Sequence, residues 1–144
     1  MKNKIFSIVL LVCLVLPLTI VFSGCGNGLK TNVKYTISEV EIVWGSESEK
    51  TEILESEGIT EQQMYEMYNN GSYFIFNNNM VTIGTDNGNS RDYWYKQDKN
   101  FISIYNDKNL TKFLFELEIS EKSLIRTISD ENYQTYVLLT YERK

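Results

Sequence analysis

Histidine is absent from the 144-residue chain, and both of its cysteines, Cys13 and Cys25, stand near the N-terminus. Everything after Cys25 therefore lacks the partners for serine–histidine or cysteine–histidine nucleophilic catalysis. It also lacks the nitrogen and sulfur ligands that zinc favours. Carboxylates remain. Glu39 with Glu41, and Glu116 with Glu118, are the pairs available to a glycoside hydrolase, which needs two acids flanking the scissile bond. Both stand at i, i+2 opposite an apolar strand face, and so are expected to point to water. The run Asp86-Asn87-Gly88-Asn89-Ser90-Arg91-Asp92 offers oxygens to calcium, but it lacks the EF-hand spacing and its closing glutamate. It reads as a hairpin turn. No catalytic residue, metal or cofactor is expected, and the chain reads as a non-enzyme.

Aromatic side chains are the other resource, with ten Tyr and two Trp. In Tyr93-Trp94-Tyr95 the strand period sets Trp94 on the face opposite Tyr93 and Tyr95, leaving at least one side partly exposed. Such rings can stack on a ligand or anchor a partner at low entropic cost, although tyrosine also fills barrel walls. Met64, Met67 and Tyr68 share one face of a short helical segment. These six residues are the candidate ligand or partner contacts.

The N-terminal segment determines where this chemistry would be found. Lys2 and Lys4 precede an apolar run from Ile5 to Phe22, the pattern of a secretory leader. Its length also approaches the ~20 residues of a membrane span, so an uncleaved anchor helix is the alternative. Val21-Phe22-Ser23-Gly24-Cys25 resembles the lipobox of bacterial lipoproteins, with Phe22 where leucine is usual. The resemblance implies removal of residues 1–24 and a diacylglyceryl group on Cys25, with a palmitate-type acyl chain. Gly26-Asn27-Gly28 and Thr31-Asn32 suit a polar, flexible tether over residues 25–33. Burying acyl chains at ~0.8 kcal/mol per CH₂ makes a two-chain anchor effectively permanent. The expected location is the extracytoplasmic face of the cell membrane.

Loss of the leader removes two of the 14 basic residues, leaving 12 against 19 acidic ones and a net charge of −7. An acidic domain is repelled by an anionic membrane surface and projects from it. It also lacks the basic patch that nucleic acid requires, so no nucleic-acid partner is expected. Without disulfides, packing alone must hold the domain.

That packing is legible as a period of two from Tyr35 onward. In the first strand Val40, Ile42 and Trp44 share a face. Shorter runs follow at 72–76, 80–84, 91–95, 100–105 and 123–128. Phe113, Phe115, Leu117 and Ile119 form the clearest alternation. The last strand, about Tyr133 to Glu142, aligns Tyr133, Thr135, Val137, Leu139 and Tyr141. Asn77-Asn78-Asn79, Asp86-Asn87-Gly88-Asn89 and Asn106-Asp107-Lys108-Asn109 are turns. One segment departs from the period: Thr60-Glu61-Gln62-Gln63 has the form of a capping box, and Asn69-Asn70-Gly71 stops the helix it begins. The expected fold is all-β: an antiparallel up-and-down barrel or strongly curled sheet of about eight strands over residues 34–144. One short helix follows the first strand, and a lid role for it is a hypothesis.

This order of elements resembles the lipocalin-like domains of exported bacterial lipoproteins. The resemblance rests on Phe113-x-Phe-x-Leu-x-Ile119, Leu124 and Val137-Leu-Leu-Thr-Tyr-Glu-Arg143. It differs from true lipocalins, whose first strand carries Gly-x-Trp, because here Gly45 follows Trp44. In a closed barrel Arg143 should meet Tyr35 rather than Trp44, so no lipocalin Trp–Arg stack is expected. The functional expectation is a membrane-anchored module binding a small apolar ligand or a cell-envelope partner. The alternative is an interaction protein, such as an inhibitor, adhesion or assembly factor, acting through an exposed aromatic patch without a pocket. A carboxylate enzyme ranks third.

Overall fold

The computed structural model describes residues 28–144. The expected leader, Cys25 and the start of the tether lie outside those residues. Eight strands are present: β1 (Lys34–Val43), β2 (Ser72–Asn77), β3 (Met80–Thr85), β4 (Ser90–Asp98), β5 (Phe101–Tyr105), β6 (Phe113–Ser120), β7 (Ser123–Ser129) and β8 (Tyr136–Arg143). Each pairs antiparallel with the next, and β8 returns to β1, so the sheet closes into a barrel. Closure gives every strand a partner on both sides, although β1 with β2 and β6 with β7 pair over only three residues each. The strand at each expected run is found, although β8 starts at Tyr136 rather than near Tyr133.

Alternation decides what the barrel encloses. Phe74 and Phe76 of β2, Val81 of β3, Ile102 and Ile104 of β5, Leu117 of β6 and Leu124 of β7 are all sealed from solvent. Val137, Leu139 and Tyr141 of β8 join them with Tyr35 of β1. Each such side chain contributes about 1.5–3 kcal/mol when buried. Phe74 meets Tyr141 edge-on at 4.6 Å, and Tyr35 meets Phe76 at 5.9 Å. Rings therefore fill the middle of the barrel.

Two bulges interrupt the alternation. Between Ile37 and Glu39 the pairing with β8 shifts, leaving Ser38 as an extra residue whose hydroxyl donates to the Thr140 carbonyl at 3.1 Å. The bulge moves the inward face from Tyr35 and Ile37 to Val40 and Ile42, because one inserted residue inverts a period of two. In β6 the register shifts at Leu114, so Ile104 faces Phe115 but Tyr105 faces Phe113. Phe113 therefore departs from the expected inward face and is 58% exposed.

The closing register matches the sequence argument, with Tyr35 opposite Arg143. Trp44 instead lies under Lys50, whose ammonium is 5.6 Å from the ring centroid. The expectation of one helix is corrected to two. α1 (Glu47–Glu57) precedes α2 (Glu61–Tyr68), and both connect β1 to β2. α1 carries five glutamates and no fully buried residue, and with only Ile53 and Leu54 turned to the core it has no apolar stripe by which to be recognised. Its ends are nonetheless marked: Ser46 accepts from the Glu49 amide, and Gly58 closes it at φ 64°.

The loops sort to two ends. The β2–β3, β4–β5 and β6–β7 turns are tight, with Asn78, Lys99 and Glu121 at positive φ. The N-terminal segment joins the barrel at that end. It is fixed there before β1 begins: the Lys30 amide donates to the Tyr35 hydroxyl at 2.8 Å, and the Asn32 amide to the Phe76 carbonyl at 2.8 Å. The two helices and the β3–β4, β5–β6 and β7–β8 loops belong to the opposite end.

Candidate binding site

At the helical end, side chains from α1, α2 and the β7–β8 connection surround a hollow of about 420 Å³ that opens to solvent. Ile53 comes from α1, Ile59 from the link between helices, and Met64, Met67 and Tyr68 from α2. Ile128, Tyr133, Tyr136 and Val137 supply the facing wall. Three of the six candidate contacts are thus brought together here. Met64 reaches the core, Tyr68 packs against it, and Met67 remains 61% exposed at the rim.

Local sequence explains why α2 can present this face. The Gln63 amide donates to Thr60 Oγ1 at 3.2 Å while the Thr60 amide donates to Gln63 Oε1 at 2.8 Å, completing the capping box. Glu61 then joins three elements. It pairs with Lys50 of α1 at 2.6 Å and accepts from Trp44 Nε1 at 3.0 Å. The Lys50 bond first, and then the Trp44 bond, hold its carboxyl below the ordinary value, while Glu61 raises the Lys50 pKa. Glu61 is exposed and Lys50 half-buried, so water still screens the pair.

α1 is tied to the opposite wall by Glu49. Its carboxylate accepts from the Gln134 amide at 3.1 Å and from Thr135 Oγ1 at 2.9 Å. Thr135 Oγ1 in turn accepts from the Gly45 amide at 3.1 Å. Nearby, the Tyr133 hydroxyl donates to Glu52 at 3.2 Å, and that carboxylate pushes the phenol pKa upward. Polar bonds therefore frame the hollow, and its lining sets methionine, isoleucine and tyrosine beside Ser56, Glu57, Ser129 and Asp130.

The β4 candidates lie elsewhere. Tyr93 and Tyr95 pack against the core, and the Phe76 ring meets Tyr95 edge-on at 5.1 Å. The Tyr95 hydroxyl donates to the Asn78 carbonyl at 2.5 Å, and burial raises its pKa. Trp94 lines a broader and shallower groove of about 920 Å³ with Met80 and Leu110. The two aromatic groups do not share one site. Glu39, Glu41, Glu116 and Glu118 are all exposed, as their strand positions require.

Arg126 is the residue that the sequence reading missed. Leu124 and Ile128 flank it at a spacing of two, which places it on the apolar side of β7. Its guanidinium carbon lies 3.9 Å from the Phe115 ring centroid. Burial lowers its pKa against the raising influence of Tyr141. Burial also raises the pKa of Tyr141, whose hydroxyl is 3.0 Å from the Ser72 hydroxyl. A lone basic residue inside an otherwise apolar alternation was the available signal.

Comparisons with protein-family models, with curated proteins and with solved structures return no match for this chain.

Proposed function

We propose that the chain is a lipid-anchored lipoprotein of the extracytoplasmic membrane face that binds a small apolar ligand at the helical end of its barrel without catalysing a reaction. The observation that carries this reading is the solvent-open hollow of about 420 Å³ among Ile53, Met64, Met67, Tyr68 and Val137. Its size falls within the range of small-molecule pockets, and its wall has the methionine and aromatic content that apolar ligands favour. Support for the anchor comes from Val21–Cys25 and the basic, apolar leader. The N-terminal segment joins the barrel at the end opposite the helices, so a Cys25 tether would turn the hollow away from the membrane. The lipocalin-like resemblance is compatible with such a carrier or sensor role.

Native mass spectrometry of the detergent-extracted protein tests both halves together. The expected spectrum shows a chain beginning at Cys25 with diacylglyceryl mass and, in gentler conditions, an added small molecule. A chain beginning at Met1 would overturn the anchor. Failure of every apolar probe to bind the folded barrel would overturn the ligand reading.

A second reading has its own support in the groove around Trp94. Met80 and Leu110 there are each 36% exposed, a surface suited to an envelope protein. Trp94→Ala separates the two: it weakens capture of a protein partner and leaves small-ligand binding unchanged.

A further inference from the structure

The barrel wall has an opening between β6 and β7. These strands pair only where Glu118–Ser120 meets Ser123–Ile125. Towards the helical end Phe113–Leu117 and Arg126–Ser129 make no ladder with each other, and a hollow of about 450 Å³ lies between them. Phe101, Phe113 and Leu114 at its mouth are 45%, 58% and 43% exposed. Arg126 and Phe115 lie deeper within it. Ile128 and Ser129 line both this opening and the helical-end hollow, so the two spaces share a wall.

Arg126 is incompletely satisfied here. Its Nε is buried and bonded to nothing among the described residues. Two ion pairs form among those residues, Lys34–Asp86 and Lys50–Glu61, and neither includes it. The groups facing it are the Phe115 ring, the Tyr141 phenol and the Tyr68 phenol, none of them an anion at neutral pH. Glu116 and Glu118 also line the opening but are exposed on the outward side of β6. An arginine keeps its proton in any protein setting. The wall therefore holds a partly desolvated cation without a counter-charge, an expensive arrangement that a bound anion would relieve.

We propose that Arg126 is the head-group site for an apolar carboxylate that enters between β6 and β7 and lays its hydrocarbon against Phe115 and Phe113. The inference rests on the small-ligand reading above and narrows it to a chemical class. A planar guanidinium presents paired donors that match a carboxylate. One cation is neutralised by one monoanion, whereas a phosphate dianion would leave excess charge beside Glu116 and Glu118.

Isothermal titration of the full-length protein in lipid nanodiscs, against empty nanodiscs, provides the test. Hexanoate, hexanol, hexyl phosphate and hexyltrimethylammonium are the probes, all soluble enough to limit partitioning into lipid. Hexanoate should bind roughly tenfold or more tighter than hexanol, the weight of one charge-assisted bond. Arg126→Met should abolish that preference while leaving the melting temperature equal or higher, because it removes a partly desolvated cation that has no counter-charge. A purely structural Arg126 would instead give a lower melting temperature with hexanoate binding intact. If the Met variant does not fold, Arg126→Lys retains the charge without the planar fork and should lose affinity severalfold. Equal binding of all four probes, or a preference for the phosphate or the ammonium, overturns the carboxylate assignment and leaves the small-ligand reading standing. Binding of none of them overturns both.

Discussion

Gly84 of β3 stands opposite Tyr73 of β2, and the phenol ring lies across it where a Cβ would be. The ring covers backbone that a larger residue would push outward, a cross-strand pairing of aromatic with glycine. Gly84→Ala is expected to lower the melting temperature, and adding Tyr73→Ala should recover part of that loss. A calorimetric double-mutant cycle reads the coupling directly. Asp107 organises the β5–β6 loop by accepting from the Lys112 and Thr111 amides at 2.6 and 3.0 Å. The Lys112 bond is the largest cause of its depressed pKa. A depressed carboxyl stabilises the fold above its unfolded pKa of about 4 and loses that contribution as pH falls through the folded value. Acid titration of the melting temperature should therefore show a shallower decline below about pH 4 in Asp107→Asn than in the wild type.

At the scale of elements, the connection between β1 and β2 determines whether the helical-end hollow exists. β1 pairs with β2 only over Lys34–Thr36, and beyond Ser38 it follows β8 alone. The helices occupy the chain between these parted strands, and Met64 of α2 completes the core there. Thr60→Ala removes one half of the capping box and should cost about 1 kcal/mol in denaturant unfolding. Met67→Glu separates stability from function. Its side chain is mostly exposed, so the melting temperature should hold, while a charge at the rim should weaken apolar probes severalfold in a fluorescence titration. A large stability loss in this variant would mean that Met67 supports the fold rather than the ligand. α2 was readable because its capping box, the shared face of Met64, Met67 and Tyr68, and its stop signal agree with one another. α1 was not, because its stabilising partners are remote: Glu49 bonds to Gln134 and Thr135 across the barrel mouth. Ser46-x-x-Glu49 and Gly58 were the local signals that could have revealed it.

At the scale of the whole molecule, barrel closure bears on the proposed anchor. β8 completes the barrel by pairing along nearly all of β1, so the first and last strands meet at one seam. Residues Lys30 and Asn32 are bonded to the barrel at the hairpin end. A tether from Cys25 would fix that end towards the lipid and leave the helices facing outward. Cys25→Ser should move the protein from the membrane to the aqueous fraction on detergent phase separation, with the far-UV spectrum of the barrel unchanged. In intact cells a single thiol introduced at Met67→Cys should react with an impermeant maleimide faster than one at Asn78→Cys. Equal rates would argue against the orientation.

The residues by themselves determined the strand count, the turns between strands, the capping box of α2 and the pairing of Tyr35 with Arg143. Those follow from a period of two, turn chemistry and antiparallel closure, all short-range or topological constraints. The positions of the bulges at Ser38 and Leu114 were decided by tertiary pairing, since a bulge is defined by the strand opposite it. The same holds for the separation of Trp94 from Met67 and Tyr68, and for the opening that exposes Arg126. A side chain's face can be read along one strand, but its neighbours depend on how far two distant strands stay paired.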